Sequence, residues 1–147
     1  MLYLLGPVSD VSGYFNRLET EPDIEDVTAV LMRFKSGAIG YVAADYISPR
    51  RFTLALHGTK ANAFFDLDNN DLRLQRRGET KATPIEYKPN SHLHAEMEDF
   101  ATAILGNTAP EIDGHQALVP LAIVLAACRS SAVGCSVALS ELLPEGQ

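Results

Sequence analysis

The sequence is poor in cysteine, with two in 147 residues, Cys128 and Cys135. They form no C-x-x-C pair, so neither a disulfide framework nor a zinc site follows from them. Both stand among apolar or small residues, and we expect free, buried thiols. Such thiols are compatible with a reducing, cytoplasmic compartment.

Basic residues are also scarce, because 12 Lys and Arg stand against 19 Asp and Glu and give a net charge of −7. The two basic pairs, Arg50-Arg51 and Arg76-Arg77, are short, and we interpret them as solvated strand ends or turns. Phosphate backbones require clustered Lys and Arg. The composition therefore argues against nucleic acid as a partner.

Long apolar runs are missing too. The opening MLYLLGPV has no basic leader and no cleavage site of a signal peptide. The longest run, from Ala117 to Cys128, is interrupted by Pro120 and falls short of the roughly 20 residues that cross a bilayer. We expect no membrane partner. With 46% hydrophobic and 21% charged residues, the composition is that of one soluble globular domain.

The amino terminus reads as the end of a helix. Met1–Leu5 is apolar, and Gly6 and Pro7 are typical helix-stopping residues. A helix this short is unstable by itself. We therefore expect its earlier turns upstream of residue 1, so that the chain is truncated at its N-terminus.

Residues 8–87 have the pattern of strands joined by turns. Residues 26–34 and 38–47 flank a turn with Gly37 and predict a β-hairpin, and an acidic loop is predicted at 19–26. Residues 51–57 alternate cleanly, with Phe52, Leu54 and Leu56 on one face. Further strands are predicted at 8–15, 61–66, 72–76 and 83–87.

The spacing becomes helical after Ser91. Apolar residues from Met97 to Leu105 recur at helical intervals, with Ser91 or Asn90 as N-cap and an end at Gly106-Asn107.

A second helix is predicted over residues 115–133, capped by Asp113 or Gly114 and followed by a short strand at 135–138. Its small, apolar residues indicate that it is covered on most sides. The predicted inward residues are Leu118, Leu121, Ala122, Leu125 and Ala126.

Strands followed by helices predict an α+β domain, in which a mainly antiparallel β-sheet has helices packed on one face. The strand at 26–34 has apolar residues on both of its faces. The uncovered sheet face would then include Val30, Met32 and Phe34, or the alternate residues. An apolar second face predicts homo-oligomerisation through the sheet.

The order of these segments resembles the carboxy-terminal domain of the Gfo/Idh/MocA oxidoreductase family, named in part for glucose-fructose oxidoreductase and inositol dehydrogenase. The resemblance covers nearly the whole chain: YLLGPV, DVTAVLMRFKSGAIGYV, FTLALHGTKANAFFD and the ending HAEMEDFATAILGNTAPEIDGHQALVPLAIVLAACRSSAVGCSVAL. The ending is the most specific part, with its acidic helix, Asp-Gly cap and small-residue helix.

The resemblance implies a two-domain, NAD(P)-dependent dehydrogenase for a sugar, polyol or related small molecule. Residues 1–147 would be its single C-terminal domain, which forms a substrate-pocket wall and an oligomer interface. The sequence has neither G-x-G-x-x-G after a strand nor the family's Glu-Lys-Pro motif. No catalytic or cofactor-binding residue is therefore carried over. The chain alone is expected to be inactive, and NAD or NADP is implied only for a full-length protein with a Rossmann domain.

Four residues are candidate substrate contacts: Tyr46, Arg50 and Arg51 in the break after the hairpin, and His57 at a strand end. Loops held on rigid strands often carry binding residues, and arginine can hold a carboxylate or phosphate with two hydrogen bonds. The alternative is a hairpin-exit loop in which solvated arginines pair with Asp45. For His57 the alternative is a rim or interface position.

His94 and Glu98 are four residues apart on the first long helix and could face one metal ion. No third ligand is placed by the sequence, so we favour a solvated helix start without a metal. Two other functions stay open: a stand-alone dimerisation or interaction module, and a small-ligand binder without catalysis.

Overall fold

The computed structural model describes residues 1–19, 21 and 24–143, so the predicted acidic loop lies partly outside the described residues. The short helix α1 comes first and two long helices follow the first seven strands. The elements are α1 (Leu2–Leu5), β1 (Val8–Asn16), β2 (Val27–Phe34), β3 (Ile39–Asp45), β4 (Thr53–His57), β5 (Ala61–Asp66), β6 (Asp71–Arg76), β7 (Thr83–Pro84), α2 (His92–Gly106), α3 (Gly114–Val133) and β8 (Val137–Ala138), with a final 3-10 turn at Leu139–Glu141.

The strands form two four-stranded sheets, β3-β2-β1-β8 and β4-β5-β6-β7, in which all neighbours are antiparallel. The predicted α+β class is confirmed, although the strands divide between two sheets. The chain forms two compact units, Met1–Ser48 with Ala109–Gln147 and Pro49–Thr108. The division falls between Ser48 and Pro49, after β3 has ended at Asp45.

In the first unit the β2–β3 hairpin turns at Gly37, as predicted, with φ +88°. A left-handed backbone conformation of this kind favours glycine. Helix α3 packs along β1, and its small side chains meet one face of the sheet. The buried core of this unit comprises Val8, Val11, Met32, Phe34, Ala122, Ala126, Ala127, Val137 and Leu139.

Gly13 sets the distance between β1 and α3. A Cβ built on Gly13 would overlap the carbonyl oxygen of Ala127 and lie 2.8 Å from its carbonyl carbon. Backbone therefore packs against backbone, which only glycine permits without a shift of the helix.

Two serines of α3 complete the edge of β1, because β8 pairs with only two β1 residues. Beyond that pairing, the Gly13 N–H donates to Ser130 Oγ and the Phe15 N–H donates to Ser131 Oγ, each at 3.0 Å. Ser130 Oγ in turn donates to the Cys135 carbonyl at 2.7 Å. The helix thus satisfies strand donors that would otherwise lack partners near the core.

Close packing changes which face of α3 is inward. Ala122 and Ala126 are buried as predicted, but Leu118, Leu121 and Leu125 are exposed, so this part of the prediction is wrong. The larger leucines do not fit where Gly13 brings the two backbones together.

The prediction of buried thiols is also wrong, because Cys128 and Cys135 are free and exposed. Cys128 lies on a face of α3 other than the buried one, and Cys135 lies after the end of the helix.

The face of the first sheet that points away from α3 is apolar, but its apolar residues on β2 are the alternate ones. Met32 and Phe34 are buried in the core, and Val30 is partly buried against it. Leu31 faces the other way and pairs with Tyr41 of β3, while Ala29 pairs with Tyr14 of β1.

In the second unit, β4 alternates as predicted for Leu54 and Leu56, which are half-buried. Phe52 is exposed instead of sharing their face. Its N–H donates to Asp68 Oδ2 at 2.8 Å, so the backbone has left the strand pattern before Thr53.

Helix α2 has the predicted caps. Ser91 Oγ accepts the His94 N–H, and Asn107 adopts the left-handed conformation. The strand predicted at 83–87 is shorter and spans Thr83–Pro84.

Helix α3 runs through Pro120 and, among the described helices, is long and apolar enough to cross a membrane by length and composition. A core helix of a soluble protein passes the same test, so one such helix is weak evidence for a membrane span. Asp113 caps it with a full capping box to Gln116.

We predict that Gly13→Ala lowers the free energy of unfolding by about 1–3 kcal/mol, because the added methyl group forces α3 away from β1. Gly114→Ala is the matched control, since its Cβ meets nothing within 4 Å, and it should change stability by about 1 kcal/mol or less in the stabilising direction. Urea denaturation measures both. Equal effects of the two substitutions would contradict the packing argument.

Candidate functional site

The four candidate substrate contacts are divided between the two units. Tyr46 belongs to the first unit, whereas Arg50, Arg51 and His57 belong to the second. Arg51 precedes β4 and His57 ends it. Six residues of extended chain separate these two by roughly 20 Å.

Arg50 and Arg51 are paired with carboxylates of their own unit. Arg50 Nε lies 3.3 Å from Asp68 Oδ1, and Arg51 Nη2 lies 2.8 Å from Asp66 Oδ2. The alternative of solvated, ion-paired arginines thus has support, although with other partners than Asp45. Asp45 instead accepts the Ser48 N–H at 2.9 Å.

Hydrogen bonding lowers the pKa of Asp66 below its ordinary value of 3.8. The main cause is the side chain of Asn69, whose Nδ2 donates to Asp66 Oδ2 at 2.9 Å, and the Arg51 guanidinium contributes less. A donor to the ionised carboxylate stabilises it relative to the acid. Asp66 thus holds both the turn after β5 and Arg51.

Tyr46 is positioned by a buried carboxyl residue that sequence reasoning missed. The Tyr46 N–H donates to the Asp26 carbonyl at 2.7 Å, and Asp26 is only 2% exposed. The Asp26 carboxylate accepts the N–H groups of Leu18 and Glu19, each at 2.8 Å. In the sequence, Asp26 was one of several acids in a polar loop, and no local signal separated it from the others.

His57 lies beside an open depression at one end of the second sheet. Its ring meets Phe64 edge-on at 5.8 Å, and its strand partner is Asn62. The depression has a volume of about 380 Å³ and lies between the turn at residues 58–61 and the turn at 76–79. Asn62 and Gln75, which we call its polar floor, line the depression together with Arg76 and Arg77.

His94 and Glu98 do meet, with Nε2 and Oε1 3.3 Å apart. Both side chains are well exposed. Within residues 1–19, 21 and 24–143, no third His, Cys, Asp or Glu joins them in a metal-binding group.

The fold defines the class of protein, an open antiparallel α+β domain in which a small-residue helix covers one sheet face. Residues 1–64 match the family described as the GFO/IDH/MocA C-terminal domain. The predicted resemblance is thereby confirmed: the chain is similar to the C-terminal domain of Gfo/Idh/MocA oxidoreductases.

Solved structures share the fold over nearly the whole chain. A protein from Desulfitobacterium hafniense, assigned as an NADPH-dependent oxidoreductase, is 27% identical with a TM-score of 0.91, over 97% of this chain and 45% of that one. Aldose-aldose oxidoreductase from Caulobacter crescentus is 22% identical with a TM-score of 0.81, over 93% and 43%. The WlbA dehydrogenase from Bordetella pertussis, in complex with NADH and UDP-GlcNAcA, is 22% identical with a TM-score of 0.74, over 97% and 42%.

The chain spans about 45% of the Desulfitobacterium protein. The two structures at 22% identity show the fold alone. A search of curated protein sequences gave no match.

We predict that Asn69→Ala raises the pKa of Asp66 more than Arg51→Ala does, because the Asn69 hydrogen bond is the larger cause. Carboxyl-carbon NMR titration measures both shifts. A larger shift in Arg51→Ala would contradict this order.

The lowered pKa of Asp66 also makes the stability of the fold depend on pH. Because the folded pKa is depressed, Asp66 stabilises the fold above its unfolded pKa, and this contribution disappears as pH falls below 3.8 through the folded value. Asp66→Asn should therefore flatten the loss of stability in that acid range.

Proposed function

We propose that this chain is the C-terminal domain of an NAD(P)-dependent oxidoreductase that acts on a sugar, polyol or related small molecule. Its own role is to form a wall of the substrate pocket and an oligomer interface. The observation that carries the proposal is the similarity to the Desulfitobacterium protein, 27% identity at a TM-score of 0.91 over 97% of the chain. Substrate class is inferred from the aldose and nucleotide-sugar relatives of the same fold.

The described residues do not fit a dinucleotide. A dinucleotide site places the pyrophosphate at the N-terminus of a helix that follows a parallel strand through a Gly-rich turn. Here all sheet neighbours are antiparallel, and α2 and α3 follow loops. NAD or NADP would therefore be held by a preceding Rossmann domain, and no chemical step is assigned to this chain.

Among the four candidate contacts, Tyr46 and His57 are the better placed for substrate hydroxyls. Tyr46 is exposed, and its hydroxyl has no partner within the described part of the chain. Its loop is held by the buried Asp26, so a contact through Tyr46 starts from a fixed backbone. Arg50 and Arg51 would first have to leave Asp68 and Asp66.

The open face of the first sheet is the proposed oligomer interface. Large apolar or aromatic side chains are exposed on three adjacent strands: Leu31 51%, Ile39 71%, Tyr14 75% and Tyr41 75%. Antiparallel register makes them neighbours on one face. A second copy of the chain is the partner that fits this face. In a two-fold symmetric dimer the same apolar patch on each copy packs against the patch on the other.

Free cysteines and an acidic composition with an average share of hydrophobic residues fit a cytoplasmic enzyme, and we propose the cytoplasm as its compartment. The open apolar sheet face also fits the second candidate function, a stand-alone dimerisation module. The two candidates differ in whether a dinucleotide-binding domain precedes the chain.

We predict that the chain self-associates at tens of micromolar and that Leu31→Asp makes it monomeric, because a charge in the centre of the apolar face must be desolvated. Light scattering after size exclusion measures the mass. Leu93→Asp, an equally drastic change at an exposed residue of α2, is the control and should leave the mass unchanged. A monomeric wild-type chain would refute the interface.

We predict that the coding region upstream of Met1 encodes a strand followed by G-x-G-x-x-G, within about 150 codons. The longer product should bind NADH or NADPH, measured by nicotinamide fluorescence. The 147-residue chain should bind neither and should show no turnover with polyols. Absence of the G-x-G-x-x-G motif would favour the stand-alone module. Turnover by the isolated chain would contradict the assignment of catalysis to the preceding domain.

A further inference from the structure

We propose that the second unit binds the phosphate group of a small metabolite in the depression at one end of its sheet. We call this the basic turn site and define it by Asn62, Gln75, Arg76 and Arg77. It is independent of the dehydrogenase role, which assigns no function to these residues.

Antiparallel register builds the site from two turns. The β4–β5 turn and the turn after β6 lie at the same end of the sheet, because β4 and β6 run in the same direction on either side of β5. The Arg77 N–H donates to the Lys60 carbonyl at 2.8 Å, which fixes the two turns side by side. Two basic residues, Arg76 and Arg77, thus line a depression of about 380 Å³ that is large enough for a sugar phosphate.

The charges at this end are not balanced. Arg76 has a single carboxylate neighbour, Glu79 at 3.9 Å, and within the described residues neither Lys60 nor Arg77 makes an ion pair. The opposite end of the same sheet differs. There Arg50, Arg51 and Arg73 lie 3.3, 2.8 and 2.7 Å from Asp68, Asp66 and Asp71.

This contrast carries the proposal. The chain has 19 acidic residues against 12 basic ones, so an end with excess positive charge is unexpected. Neighbouring like charges repel, and an oxyanion relieves that repulsion while it accepts charge-assisted hydrogen bonds from guanidinium groups. Phosphate suits two adjacent arginines because their planar forks donate to it in pairs.

The polar floor indicates what the phosphate is attached to. Asn62 Nδ2 donates to Gln75 Oε1 at 3.3 Å, and Gln75 Nε2 donates to the Glu79 carbonyl at 2.9 Å. These bonds fix both amides and leave the Asn62 carbonyl oxygen as an acceptor. Asn62 and Gln75 are strand partners in one row, so they share a face. Such a row can hydrogen-bond the hydroxyls of a sugar next to its phosphate.

The test is a titration of the isotope-labelled 147-residue chain, monitored by amide NMR at constant ionic strength. Three probes are added in parallel: inorganic phosphate, glucose 6-phosphate and glucose. The double variant Arg76→Gln, Arg77→Gln removes the charge, and Arg50→Gln, Arg73→Gln is the matched control at the balanced end.

We expect saturable shifts at Gly58, Thr59, Asn62 and Gly78 with both phosphates. The double variant should weaken binding by about tenfold or more, whereas the control should change it by about twofold or less. Tighter binding of glucose 6-phosphate than of inorganic phosphate identifies a sugar phosphate, and equal binding identifies free phosphate. Shifts that do not saturate, that chloride reproduces, or that persist in the double variant would overturn the site.

Discussion

The contact between β1 and α3 is the constraint on which the first unit depends. Gly13 lets the helix backbone reach the strand, and Ser130 and Ser131 then satisfy strand N–H groups that β8 is too short to pair. Because so little space is left, alanines fill the interface and the leucines of α3 remain exposed. Backbone proximity, rather than side-chain volume, selects the buried face.

The same contact explains why the first sheet has one free face. Helix α3 covers the face that carries Met32 and Phe34, so the apolar residues of the other register, such as Leu31 and Tyr41, stay exposed in the part of the chain that the structure describes. An apolar face with Leu31 and Tyr41 at its centre is an unusual surface for a monomer. The proposed interface between copies therefore follows from which side of the sheet the helix covers.

Charge pairing organises the second unit in a comparable way. At one end, aspartates at the end of β5, in the following turn and at the start of β6 pair with three arginines, and the depressed pKa of Asp66 reflects the donors around it. At the other end the turns bring basic residues together with little acidic compensation. Ligand contacts are more accessible where side chains are not already occupied, so Arg77 is a better candidate than Arg51.

The sequence by itself determined most of the local structure, because periodicity, caps and turn residues act over a few positions. Gly37 in the hairpin turn and the alternation of Leu54 and Leu56 were predicted in place, and Ser91 and Asp113 were each one of two residues predicted as an N-cap. The tertiary structure alone decided the rest. The buried face of α3 depended on Gly13, more than 100 residues away in the chain, and Asp26 was recognisable only from its distant donors. The basic turn site was hidden as well, because its two halves become neighbours only through strand register.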